Sequence, residues 1–139
     1  DHATRDLCSP GAYGEFLADV HAELVSRLSC PLILHICGDT SDRIGRIRET
    51  GMACFHFDSK VDAGEARRLA GERLSLMGGT SNFRIVREGT PEAIAADVRE
   101  KIECGIDIIG PECAAPLDAP YGNMKALAEE VKKKGGKRA

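Results

Sequence analysis

At 139 residues the chain is long enough for one domain with a hydrophobic core, and its 42% hydrophobic and 29% charged content is ordinary for a globular protein. A net charge of −3 and an aromatic content of 4% with no tryptophan exclude the basic field and stacking surface that nucleic acid requires. No apolar run approaches the roughly 18 to 20 residues that span a bilayer, and no cationic leader precedes an apolar segment, so a cytoplasmic protein without a membrane partner is expected.

Taken in order, Ser9-Pro10 supplies an N-cap and a first-turn proline, and Phe16, Val20, Leu24, Val25 and Leu28 recur at helical spacing. This predicts one amphipathic helix over about 10–28. A strand follows at 31–37, then a capping stretch, Asp39-Thr40-Ser41, before a helix at 41–50 closed by Gly51. Residues 52–58 alternate, with Cys54, His56 and Asp58 on one face and Ala53, Phe55 and Phe57 on the other. A charged helix at 62–71 leads to a third strand, 74–79, and to a polar loop, Thr80-Ser81-Asn82. Thr90-Pro91 opens a helix to about Cys104, Gly105 stops it, and a fourth strand at 106–110 delivers Cys113. A loop with Pro111, Pro116 and Pro120 then precedes a last helix at about 121–134. The basic run from Lys132 to Arg138 reads as a solvated helix end.

The six cysteines are expected as reduced thiols. Cys30, Cys54 and Cys104 lie beside or within apolar segments and are expected in the core, while Cys8 has no assigned role. Because the chain starts at Asp1 rather than Met, it is expected to be a piece of something longer.

A strand followed by a helix, four times over, predicts an α/β fold with a parallel sheet. Polar and metal-capable residues gather at the strand C-termini, the end at which (β/α)8 barrels carry their chemistry. No glycine-rich phosphate fingerprint follows the first strand, which argues against a doubly wound sheet. Four strands cannot close a barrel whose usual length is about 250 residues. Residues 1–139 are therefore expected to form half of a (β/α)8 TIM barrel, with the missing strands on an absent segment or another chain. Two unpaired sheet edges and an uncovered apolar face would favour self-association or pairing with a missing half.

His35 and Cys37, two residues apart on a strand, must project to the same side. Cys113 adds a second thiol at another strand end. Two thiolates and one imidazole with an open fourth position is the pattern of a catalytic zinc site, and Asp58, at the end of the adjacent strand, is the candidate fourth ligand. A soft metal suits a sulfur substrate and keeps a coordinated thiol deprotonated. Alkyl transfer to sulfur follows, although these residues alone equally permit hydrolysis by zinc-activated water.

Several runs then match a known family. Leu34-His35-Ile36-Cys37-Gly38, Phe57 through Asp62, Gly89 through Glu92, Gly105 through Cys113, and Pro116 through Pro120 with Asn123 through Leu127 resemble the C-terminal half of the uroporphyrinogen decarboxylase-like methyltransferases. The likeness is strongest to the corrinoid (methylcobamide):coenzyme M methyltransferases, because His35, Cys37 and Cys113 fall on that group's His-x-Cys…Cys zinc motif. The resemblance implies the last four strands of a (β/α)8 barrel. It also implies that Zn2+ activates a small acceptor thiol such as coenzyme M to attack the methyl group of a methylcobamide carried on a separate corrinoid protein.

Thr80, Ser81 and Asn82, where the family has a Gly-Asn turn, are assigned to the acceptor pocket. Glu112 stands where the family usually has glycine, and His56 occupies a usually small position. Two other readings compete. A metal-free tetrapyrrole decarboxylase of the same superfamily would want clustered cations, of which the strand ends offer Lys60 alone. An inactive barrel fragment would pair with another chain. The chain by itself is expected to be a poor catalyst.

Overall fold

A computed structural model describes residues 2–135. Four parallel strands, β1 (Ile33–Ile36), β2 (Cys54–Phe57), β3 (Ser75–Thr80) and β4 (Ile108–Pro111), lie side by side in chain order. Between and around them run α1 (Pro10–Phe16), α2 (Ala18–Arg27), α3 (Ile44–Glu49), α4 (Ala63–Ala70), α5 (Pro91–Glu103) and α6 (Tyr121–Gly135). This is the expected alternation, with half the strand count of a TIM barrel.

The register explains how one face is buried. Leu34 pairs with Phe55 and Ile36 with Phe57 across β1 and β2, and Phe55 pairs with Leu76 on β3. All five pack with Ile44 and Ile47 of α3 and with Ala63, Ala66 and Ala70 of α4 in one core. The alternate residues, His35, His56 and Met77, stand in register on the opposite face and are only partly buried. Strands in unbroken order with crossover helices on the same side make an arc of a barrel, whose concave face carries His35 and His56. A second small cluster, Ile94 and Val98 of α5 against Leu127 of α6, fastens the last helix.

Local chemistry sets the helix starts. The Ser9 side chain accepts from the Ala12 N–H at 3.1 Å, and that of Thr90 accepts from the Ala93 N–H at 3.3 Å, as the N-cap reading requires. The second expected cap is corrected. Asp39 accepts from the N–H and hydroxyl of Ser41 and from Arg5, making a turn of its own, and α3 starts only at Ile44.

The expected single helix over 10–28 is also corrected. It breaks at Leu17 (φ −118°, ψ −34°), and of the apolar stripe on which the expectation rested, Phe16, Val20, Leu24 and Leu28 are exposed while Val25 packs against the core. The side chains buried from these helices are Tyr13 and His21, whose hydroxyl and Nδ1 lie 2.9 Å apart. Beside them Arg43, only 1% exposed, donates to the carbonyls of Ala3 at 2.5 Å and Cys8 at 2.7 Å and sits 5.6 Å over the Tyr13 ring. A buried guanidinium with matched acceptors thus anchors the first residues, a device that hydropathy does not reveal.

Smaller corrections concern Cys30, which is exposed rather than in the core, and the loop after β3. Thr80 belongs to the strand, and Asn82–Arg87 form a single π-helical turn in which the Val86 N–H reaches Ser81 O at 3.0 Å and the Glu88 N–H reaches Phe83 O at 3.0 Å. Cys54 is buried as expected, and Cys8 and Cys104 pack at the edge of the core. Among the described residues no helix is long and apolar enough to cross a membrane. Residues 136–139, the end of the basic run, lie outside the described residues.

Burial holds the His21 imidazole below its ordinary pKa. The unfolded chain therefore takes up this proton before the folded one, so stability is full above about pH 6.5 and declines as pH falls below it. Melting curves across pH 5 to 8 should show this decline, and it should become shallower in His21→Gln.

Candidate metal centre

The site is built from the ends of β1 and β4. On β1 the His35 Nδ1–H donates to the main-chain carbonyl of His56 at 3.0 Å. That bond fixes the tautomer and turns Nε2 toward the Cys37 sulfur, 3.1 Å away. The Cys37 and Cys113 sulfurs are 3.3 Å apart although 76 residues separate them in sequence. Together the three donor atoms lie within 4.8 Å of one another.

The donor set suits a tetrahedral soft cation. Zinc–sulfur and zinc–nitrogen bonds of about 2.3 and 2.0 Å imply donor-to-donor edges of about 3.5 to 3.8 Å, close to the 3.1 and 3.3 Å that separate Cys37 from His35 and Cys113. Burial pushes the Cys37 thiol up to about 11, and the hydrogen bond and charge of Cys113 add to it. Burial also lowers the His35 imidazole. Without a cation the site therefore favours neutral donors, and a divalent ion would enter by displacing protons.

Asp58 is placed beside this group rather than in it. Its Oδ2 accepts from the Gly38 N–H at 2.8 Å and its Oδ1 from the Lys60 N–H at 2.9 Å, so it ties the turn after Cys37 to the end of β2. Of the three residues assigned to an acceptor pocket, all are buried. The Thr80 hydroxyl donates to Asp97 at 2.7 Å, the Asn82 amide donates to Ala114 O at 2.9 Å, and Ser81 lines a polar cavity with Ser59, Asp97 and Lys101.

His56 and Glu112 hold positions that sequence reasoning left unexplained. The His56 ring lies tilted against that of His35, with centroids 4.4 Å apart, and its Nε2–H donates to the Pro111 carbonyl on β4 at 2.8 Å. To reach that far it crosses β3 above Gly78, where a Cβ would lie 2.5 Å from the imidazole. The signal was present as a histidine on the concave face of β2 in register with Met77, next to the Gly78-Gly79 pair, and only the pairing of strands makes it legible. Glu112 is buried, and its carboxylate accepts from the backbone N–H groups of Ser59 and Asn82.

Comparison with known proteins gives a consistent family. The sequence profile described as uroporphyrinogen decarboxylase (URO-D) matches residues 1–134. A methylated-thiol–coenzyme M methyltransferase of Methanosarcina mazei is 35% identical over 130 residues, which are 94% of this chain and 35% of that protein. The methylcobamide:CoM methyltransferase MtaA of Methanosarcina barkeri is 29% identical over 126 residues, or 90% of this chain and 37% of MtaA. The solved structure of a methyltransferase from Methanosarcina mazei matches with a TM-score of 0.90 at 27% identity, over 94% of this chain and 39% of that one. The chain thus spans about a third of the length of the curated relatives it matches, 35% and 37% of the two named.

Gly78 has φ +95°, and its Cβ position is taken by His56. Gly78→Ala should therefore cost more than about 1 kcal/mol in denaturant unfolding. It should also displace His56 from Pro111, seen as loss of the slowly exchanging His56 ring N–H resonance.

Proposed function

Because the chain belongs to the uroporphyrinogen decarboxylase (URO-D) family, we propose that it carries the metal-binding, thiol-activating part of a methyltransferase. The methyl group would come from a methylated corrinoid on a partner protein, and the acceptor would be a small thiol of the coenzyme M class. One observation carries this reading: His35, Cys37 and Cys113 offer three soft donor atoms within 4.8 Å of one another, at the strand ends where barrel enzymes work. The names of the relatives, methyltransferases acting on coenzyme M, support the same chemistry. A tetrapyrrole decarboxylase of the same family would need clustered cations for its substrate's carboxylates, whereas thiols and an imidazole cluster here and Lys101, in the cavity beside Ser81, is paired with Asp97 and Glu100.

In this reading the residues divide the work. The His56 carbonyl holds the His35 Nδ1–H and so presents Nε2 as a donor. Cys37 and Cys113 release their thiol protons and supply two sulfurs. Zn2+, when bound, supplies the Lewis acidity that keeps a coordinated thiol deprotonated at neutral pH. Three protein donors would leave room for the acceptor's sulfur. Asp58 acts through the Gly38 N–H, holding the turn after Cys37 in place. Thr80, Ser81 and Asn82 shape the neighbouring rim from within rather than presenting free side chains to it. Residues 1–139 then form a partial barrel domain whose remaining pocket walls come from outside it.

The test is metal analysis followed by turnover, on chain purified under reducing conditions. About one equivalent of zinc per chain is expected, to be lost in Cys113→Ala. Methylcobalamin and coenzyme M should then react slowly in the presence of the chain, followed at the cobalt–carbon absorbance, and no faster than background with Cys37→Ala. Zinc well below half an equivalent, or undiminished in Cys113→Ala, would overturn the proposal.

A further inference from the structure

Cys113 does not sit on a strand. It follows β4 in a loop, yet its sulfur meets that of Cys37 at the far side of the sheet. Loop residues are the least constrained part of a fold, so this placement needs a cause.

The cause is visible in the residues on either side. Two positions earlier, the Pro111 carbonyl accepts from His56 Nε2–H at 2.8 Å. One position earlier, the Glu112 N–H donates to Thr80 O at 2.8 Å, its Oε1 accepts from the Asn82 N–H at 2.8 Å, and its Oε2 accepts from the Ser59 N–H at 3.0 Å. One position later, the Ala114 carbonyl accepts from Asn82 Nδ2 at 2.9 Å. These ties come from β2 and β3 and from the turns after each, so the loop bearing Cys113 is held to two neighbouring βα connections at once.

We infer that Glu112, Asn82 and His56 form a polar cradle that sets Cys113 against Cys37 and His35 before any metal arrives, with Glu112 as its principal positioning residue. The metal role of the cradle rests on the reading of the site given above. Glu112 suits the task chemically. Two backbone N–H groups from different loops converge on one buried side chain, and only a carboxylate offers two acceptor oxygens and no donor. Charge-assisted bonds of this kind are roughly twice as strong as neutral ones and offset the burial of the charge. Gln has the same shape but turns an NH2 donor toward one of those N–H groups. Asp is a methylene shorter and cannot span both. Asn82 has the complementary part: its amide orientation is dictated by the Ala114 carbonyl, which leaves its Oδ1 buried without a partner. Leaving a buried acceptor unpaired is costly, and the tie at Ala114 offsets that cost.

The experiment compares wild type with Glu112→Gln and Asn82→Asp, with Asp107→Asn as control. Asp107 also accepts a backbone N–H, that of Leu76, but at the other end of the sheet. In metal-free, fully reduced protein, the rate at which diamide joins Cys37 to Cys113, mapped by peptide mass, reports how closely the two sulfurs are held. Cross-linking should slow about 10-fold in Glu112→Gln and fall in Asn82→Asp, while Asp107→Asn keeps the wild-type rate. In competition with a chelator, zinc affinity should fall about 10- to 100-fold in Glu112→Gln, the usual range for groups that orient ligands. The visible bands of the cobalt-substituted protein should lose thiolate charge-transfer intensity. Unchanged cross-linking in both cradle variants, or an equal loss in Asp107→Asn, overturns the cradle. Should wild type take up no metal, the metal reading falls, and the metal-free cross-linking still decides the cradle.

Discussion

One short chain of hydrogen bonds sets the geometry of the site. His35 donates through Nδ1 to the backbone of His56, and His56 donates through Nε2 to the backbone of Pro111. The first bond joins β1 to β2, and the second carries β2 over β3 to β4. Strands are about 4.8 Å apart, so a ligand set drawn from the first and fourth cannot assemble by strand pairing alone. Curvature brings the ends of the arc toward each other, and the two imidazoles fix how near they come. Gly78 is the condition for this, because any side chain there would occupy the path of the His56 ring.

Much of the architecture was legible because its causes are local. Alternation placed His35 and Cys37 on one face, and the strand-helix repeat implied a parallel sheet that ends in its polar residues. The caps at Ser9 and Thr90 rest on contacts three residues apart. What escaped depends on contacts between distant residues. Arg43 is bound to the carbonyls of Ala3 and Cys8, and Glu112 to the N–H groups of Ser59 and Asn82. A backbone donor or acceptor has no residue identity, so such ties leave no periodic mark in the sequence.

The amphipathic stripe of the first helices failed for a different reason. Phe16 closes α1, Val20 and Leu24 lie on α2 and Leu28 follows it, so the break at Leu17 divides the stripe. These four are exposed while Val25 packs against the core, and Tyr13, His21 and Arg43 are the side chains buried nearby. Hydrophobic periodicity reports that a face is apolar and says nothing about which surface covers it.

The placement of charge around the two sulfurs completes the logic of the site. Two thiolates 3.3 Å apart would repel strongly in a partly buried pocket, and the rise of Cys37 to about 11 expresses this, through burial first and then through Cys113. A preformed ligand set can therefore exist without metal only if its protons stay on. The two carboxylates nearest in sequence and topology are both satisfied by backbone N–H groups, Asp58 by Gly38 and Lys60, Glu112 by Ser59 and Asn82. Main-chain dipoles thereby take up part of each charge, while Asp58 still reaches the donor set, adding to the rise of Cys37 and working against the lowering of His35. The arrangement separates two functions that would conflict in one group. Carboxylates tie the loops together, the neutral imidazole offers its Nε2 lone pair, and the thiols can exchange their protons for a cation. A single pair of opposite demands, rigid placement and unspent donor capacity, accounts for why the acids of this rim face inward and its sulfurs face one another.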